Sequence, residues 1–196
     1  MDNLALSNYP EQRTQWPVQA AEALRFIHSK NVIHSDFGSH NFLIQEDGGL
    51  ALADFGGSQI DDTSPVVSYL TRYARPGSDS VVSTEIDDIF ALGTMIYEIS
   101  VGHLLYSDRS SREIQKLLRQ HEFPDLDTVA SNLQVIIRKC WSNGYQTAEE
   151  VVQDLEATPP PSNSHLLCVT GLSLGIKEKL AYIGIEQPNG HNVLFL

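Results

Sequence analysis

The sequence is poor in cysteine, in basic residues and in long apolar runs, and each shortage removes a class of protein. Two cysteines in 196 residues, Cys140 and Cys168, cannot supply a disulfide framework, so reduced thiols are expected. No basic stretch followed by an apolar run stands at the N-terminus, so no secretory signal is expected. The most apolar part of the tail, residues 166–176, is interrupted by Thr, Gly and Ser. It is also well short of the ~20 residues that span a bilayer. Thirteen Lys and Arg stand against 25 Asp and Glu, a formal net charge of −12, which repels nucleic acid and anionic lipid. The charges beyond residue 157 are Lys177, Glu178, Lys179 and Glu186. They cancel, so the excess lies wholly before that point. Neither a nucleic-acid nor a membrane partner is expected, and the expected location is intracellular and cytoplasmic.

What is present is a chain with 41% apolar residues, enough to bury a sizeable core. Helical spacing predicts a helix over 14–30, with Ala20, Leu24 and Ile27 on one face, Thr14 as a candidate cap and Pro17 near the first turn. Further helices are predicted over 110–119, 127–141 and 146–157, the last with Thr147 as a candidate cap. A fifth, about 85–100, is apolar nearly all round and therefore a buried central helix. Between the first two helices, Phe42-Leu43-Ile44-Gln45 and Leu50-Ala51-Leu52-Ala53 flank Glu46-Asp47-Gly48-Gly49, a β-hairpin joined by an Asp-Gly turn. The expected fold is mainly α with this small hairpin, an α+β arrangement over residues 1–157. The tail, 158–196, starts at Pro159-Pro160-Pro161 and has no assigned role; Lys177 to Ile183 suits one or two helical turns.

A hairpin with equal arms brings its ends together. It returns Asp54 beside Asn41, which itself lies five residues after Asp36. Three oxygen-bearing side chains thus converge from 19 residues of sequence. That set suits a hard cation such as magnesium carrying phosphate.

His34-Ser35-Asp36-Phe37-Gly38-Ser39-His40-Asn41 followed by Asp54-Phe55-Gly56 resembles the catalytic core of the eukaryotic protein kinases, in their large, C-terminal lobe. The resemblance covers about residues 10–157. It implies a catalytic loop at 33–41, an activation segment at 54–77, and ATP with Mg2+ as cofactors. It assigns Asp36 as the base, Asn41 and Asp54 as the metal ligands, and Leu43 as the residue beneath the adenine ring. His34 would pack against Phe55. Asp88, opening the apolar Asp88-Ile89-Phe90-Ala91-Leu92-Gly93 helix, would brace the catalytic loop by accepting its backbone donors. A carboxylate there is costly without such donors; Asp87 or Asp88 could equally cap the helix. Cys140-Trp141 also resembles a dipeptide of tyrosine-kinase-like members.

The departures are specific. No Gly-x-Gly-x-x-Gly and no Val-Ala-Ile-Lys occur in the sequence, so the small lobe of the family is expected to be absent and ATP binding by this chain weak. Ser35 replaces an Arg, and Gly38 stands where serine/threonine kinases usually have a Lys on the transferring phosphate. Ala74-Arg75-Pro76-Gly77 replaces Ala-Pro-Glu. The Glu of that motif and its Arg partner, expected just after Cys140-Trp141, are both missing, which strands neither charge. The expected function is ATP-dependent phosphoryl transfer to a protein hydroxyl, Ser or Thr weakly favoured, by a domain inactive as this isolated chain. Two alternatives stand beside it: a non-catalytic kinase-like interaction module, with a protein substrate or partner at the exposed interlobe face, and a small-molecule phosphotransferase. Asp-Phe-Gly and the Asp88 helix favour a protein kinase over the latter.

Overall fold

Helical and strand periodicity in the sequence become elements that clamp one short hairpin and one loop. The structure is a computed structural model that describes residue 9, residues 11–61, 63–78 and 81–157, and the strand 194–195. The first helix, α1, is Trp16–His28, with Pro17 in its first turn and Trp16, Ala20, Leu24 and Ile27 buried. Thr14 does not cap it. That residue ends a 3-10 turn, Gln12–Thr14, and its hydroxyl donates to the Glu11 carbonyl at 2.7 Å. The backbone tightens before the helix begins, so α1 starts after Gln15.

Strands β1 (Val32–Ile33), β2 (Phe42–Ile44), β3 (Leu50–Leu52) and β4 (Gln59–Ile60) follow. β2 and β3 form the expected antiparallel hairpin, with Phe42 opposite Leu52, Leu43 opposite Ala51 and Ile44 opposite Leu50. Phe42, Ile44, Leu50 and Leu52 are buried and Leu43 and Ala51 are half-buried, the alternation a pleat imposes. Gly48 takes φ 81° in the turn, a conformation open to glycine at no steric cost. Helix α1 grips that turn directly. The Trp16 indole N–H donates to the Gly48 carbonyl at 2.8 Å, and Gln19 Oε1 accepts from the Leu50 N–H at 2.9 Å. β1 pairs antiparallel with β4 on either side of the loop and hairpin.

Helix α2, Glu85–Val101, is the buried rod expected about 85–100. Thr84 and Asp87 close a capping box at its start, and Gly102 at φ 81° ends it. Helices α3 (Ser111–Arg119), α4 (Ser131–Trp141) and α5 (Ala148–Ala157) complete the helical layer. Helix α4 begins four residues later than the apolar pattern suggested, because residues 127–130 form a turn. α1 packs on α5 and α2, and α2 packs on α4. The result is an α+β fold, mainly helical. One further strand, β5 (Leu194–Phe195), pairs antiparallel with β2, placing Phe195 opposite Leu43 and Leu194 opposite Ile44. Its two residues carry no strand signal that distinguishes them in sequence. The remainder of the tail, including the triple proline and Lys177 to Ile183, lies outside the described residues. Among the described residues no helix is long and apolar enough to cross a membrane.

Candidate functional site

A carboxylate at the start of an apolar helix needs donors, and Asp88 has four. Its Oδ2 accepts from the His34 backbone N–H at 2.8 Å and lies 3.0 Å from His28 Nε2. Its Oδ1 accepts from the Ser35 N–H at 3.2 Å and from the Tyr69 hydroxyl at 2.6 Å. The side chain is 0% exposed. One residue therefore ties α1, the loop after β1 and the segment after β4 to the base of α2. Burial, then the charge of Asp88, pushes the Tyr69 hydroxyl well above its ordinary range. Capping falls to Asp87 instead, whose Oδ2 accepts from the Thr84 N–H and hydroxyl at 2.8 and 2.6 Å.

Above this brace, Asn41 Nδ2 donates to the Asp36 carbonyl at 2.8 Å and approaches Asp36 Oδ2 at 3.3 Å. The Ala53 N–H donates to the Asn41 carbonyl at 2.8 Å, so the hairpin closes and Asp54 follows immediately beside Asn41. Asp54 is exposed. Ser35 and Asp54 both hold left-handed backbone, at φ 67° and 58°, a local strain that clusters at functional turns. The His34 ring lies 5.2 Å from that of Phe55, centroid to centroid, and its Nε2 is 3.0 Å from the Ala53 carbonyl. Leu43 is half-buried on β2, opposite Ala51.

The donor set suits a phosphate-bound cation. Asn41 spends its amide nitrogen inward, which leaves its side-chain oxygen to accept. The exposed Asp54 follows Ala53, whose N–H donates to the Asn41 carbonyl. Asp36 Oδ1 is buried with no hydrogen-bond partner among the described residues. Among those residues no group of three or more His, Cys, Asp or Glu could hold a metal alone. Asn41 and Asp54 would therefore hold magnesium together with the ligand's own phosphate oxygens.

The end of the 54–77 segment is anchored by side chains that sequence reasoning missed. Glu98, buried on α2, accepts from Ser39 Oγ at 3.0 Å, from the Leu105 N–H at 2.9 Å and from the Tyr73 hydroxyl. Burial, then the charge of Glu98, pushes the Tyr73 hydroxyl well up. Arg75, which replaces the alanine of the family motif, has acquired a partner: its Nε lies 2.7 Å from Oδ1 of the buried Asp87. The compensated loss of one ion pair is thus accompanied by a different pair, 12 residues apart in sequence. Alternating contacts of this kind leave no periodic signal, although Glu98 in an otherwise apolar helix is itself one.

Glu98 also sets a pH dependence. Burial holds its carboxyl above the ordinary carboxylate range, against the lowering effect of its three donors. A folded value above the unfolded one favours the folded state most where the group is protonated. That contribution is lost as pH rises through the folded value. The unfolding free energy of the natural chain, less that of E98Q, is therefore expected to fall as pH rises above the unfolded carboxylate value of about 4. Urea titrations of both at each pH check this, and a difference that rises instead would refute it.

The sequence profile of the protein kinase domain matches residues 5–154. A probable serine/threonine-protein kinase of Dictyostelium discoideum is 28% identical over 167 residues, covering 78% of this chain and 12% of its own length. The serine/threonine-protein kinase A-Raf of Sus scrofa is 28% identical over 137 residues, 64% of this chain and 23% of its own. The serine/threonine-protein kinase PrkC of Bacillus subtilis is 24% identical over 162 residues, 76% and 25% respectively. The chain thus spans a quarter or less of each of these relatives.

Proposed function

The chain belongs to the protein kinase domain family, and on that premise we propose that Asp36, Asn41 and Asp54 form a phosphoryl-transfer site acting on a serine or threonine hydroxyl. The observation that carries this reading is the part-exposed Asp36 carboxylate, whose Oδ2 and backbone carbonyl both accept from the Asn41 amide. A carboxylate held in place at the surface is positioned to accept the proton of an incoming hydroxyl. Asn41 fixes that carboxylate's backbone and offers its own oxygen toward a cation. Asp54 adds a charge, and Asp88 holds the loop from beneath. ATP with Mg2+, when bound, would supply the phosphoryl group and neutralise its charge. Leu43, half-buried in the middle of β2, would offer an apolar contact to the adenine ring. The relatives named above are described as serine/threonine kinases, which supports that acceptor class over tyrosine.

A titration of the 196-residue chain tests the site without requiring turnover. The sequence holds no glycine-rich phosphate loop and no lysine-bearing Val-Ala-Ile-Lys strand. The chain alone is therefore expected to bind magnesium-ATP with a dissociation constant on the order of 1 mM. Amide shifts of Asn41 and Asp54 follow the binding. Asp54→Ala is expected to remove it, and Asp36→Asn to leave it within about twofold, because the proposed base contacts the acceptor rather than the nucleotide. Submicromolar affinity, or binding indifferent to Asp54, overturns the assignment.

A second reading, a non-catalytic module that binds a protein partner, has one observation in its favour. Of the large apolar side chains exposed among the described residues, Ile60 ends β4 and Val66, Val67, Leu70, Val81 and Val82 fall between β4 and α2, with Val66 80% exposed. That cluster would direct a partner to the activation segment. No response to magnesium-ATP at any site residue would favour this reading.

A further inference from the structure

Arg112 lies in the first turn of α3, two residues after the N-cap Ser110. Unpaired backbone N–H groups make that end of a helix positive, so a cation there is unfavourable. Glu113 does not pair with it, because its carboxylate accepts from the Ser110 N–H and hydroxyl at 2.9 and 2.7 Å. Arg112, Lys116 and Arg119 are all exposed. None of the three joins an ion pair among the described residues. Lys116 and Arg119 sit in the last turn and suit its negative end. Arg112 has no such role. A side chain that opposes the local preference of its own element, with nothing to offset it, points to function.

The three cations recur at i, i+4 and i+7, so they share one stripe of the helix. The stripe runs about 10 Å along the axis, at ~1.5 Å per residue. Buried Ile114 and Leu118 fasten the opposite face to the core. The stripe lines a shallow groove of about 510 Å³. A second groove, about 450 Å³, adjoins it through Lys116 and is floored by half-buried Tyr106, Leu117 and Phe123. That floor is preformed: Phe123 stacks on Trp141 at 4.5 Å, and the Tyr106 hydroxyl donates to the Glu122 carbonyl at 2.6 Å. Asp108 on its rim is already paired with Arg109 at 3.4 Å. A basic stripe beside an apolar floor thus stands out on a chain of net charge −12.

We propose that this face of α3 docks an extended acidic segment of a partner protein. Its carboxylates lie along Arg112, Lys116 and Arg119, and an apolar side chain rests on the floor of the adjoining groove. Carboxylates at alternate positions of an extended segment are about 6.6 Å apart, close to the ~6 Å between helix positions four residues apart. A nucleic acid fits less well. Three cations neutralise few phosphates, the net charge of the chain repels the rest, and a phosphate backbone has nothing to place on the apolar floor. The surface uses neither Asp36, Asn41 nor Asp54, so it serves a kinase and a non-catalytic module alike.

The test uses the 196-residue chain and a short synthetic peptide with glutamates at alternate positions and one phenylalanine. The peptide is expected to bind at low salt with a dissociation constant on the order of 0.1–1 mM. Amide shifts are expected within residues 106–123, and affinity falls as salt screens the stripe. The same peptide with Gln for Glu is not expected to bind. R112Q/K116Q is expected to weaken binding about fivefold or more, whereas R112K/K116R and the α4 control R138Q stay within about twofold. R112Q alone is expected to weaken the peptide about twofold or more while keeping or raising the melting temperature, because it removes a cation from the positive end of the helix. A lower melting temperature in R112Q would mean that the arginine serves the fold, and overturns the proposal. So do equal affinities of R112Q and the natural chain, shifts centred outside α3, and no response of the natural chain to the peptide. Tighter binding of oligothymidylate than of the peptide to the same stripe assigns it to nucleic acid and also overturns it. None of these outcomes alters the phosphoryl-transfer reading, which the magnesium-ATP titration decides.

Discussion

Asp88→Ala is expected to destabilise the chain by about 3–5 kcal/mol, the range for removing one partner from a buried charged network. The methyl group cannot accept, so the His34 and Ser35 N–H groups, the Tyr69 hydroxyl and His28 Nε2 lose their shared acceptor at once. Each stranded buried donor costs about 1–3 kcal/mol, and the costs overlap because the loop relaxes as a unit. Asp88→Asn does not escape. Each carboxylate oxygen accepts one backbone N–H, from His34 or from Ser35, so the amide NH2 must face one of them whichever way it turns. Urea unfolding gives the free energy. Hydrogen exchange locates it, since the His34 and Ser35 amides are expected to exchange faster by more than the global loss explains. A cost under about 1 kcal/mol for Asp88→Ala would mean that the loop is held by something else.

Legibility in the sequence follows how local each signal is. The β2–β3 hairpin was readable because alternation and an Asp-Gly turn are complete within twelve residues. Helix α2 was readable because seventeen residues share one apolar character. Both Asp87 and Asp88 were visible as carboxylates needing an explanation. Which of them caps and which reaches the loop depends on helix rotation against partners distant in sequence, and only the coordinates assign it. The same limit hid the Tyr73, Ser39 and Glu98 cluster, drawn from three separate elements. It hid the Arg75–Asp87 pair, because a motif read for its missing glutamate gives no hint that its arginine finds another carboxylate. At Gly38 the sequence shows only a lysine position without a side chain, whereas the space there is taken by the rings of His40 and Tyr73. Helix starts shifted where a tight turn precedes the first helical residue, as at Thr14 and before Ser131.

Gly93→Ala is expected to cost about 3 kcal/mol or more, near the top of the range for overpacking a core, although alanine is the better helix former by about 1 kcal/mol. The added Cβ would lie 2.4 Å from the Cβ of Cys140, with Cys140 Sγ and Trp141 Cδ1 both at 3.4 Å. Neither colliding carbon can rotate away, because each is fixed to its helix backbone, so α2 and α4 must separate. Separation would stretch the Trp141 Nε1 to Thr94 Oγ1 hydrogen bond, now 3.1 Å, and loosen the stack of Trp141 on Phe123 at 4.5 Å. It would also shift the rod that carries Asp88, so a change one helical turn along α2 reaches the loop bearing Asp36. The cause is separable by a second substitution. Cys140→Ala keeps the offending Cβ and is expected to leave the Gly93→Ala loss unrelieved, whereas Cys140→Gly removes it and is expected to recover part of the loss despite glycine's own helix penalty of about 1 kcal/mol. Thermal melts of the four chains decide it: equal rescue by alanine and glycine would place the strain on the sulfur atom instead of on the helix spacing.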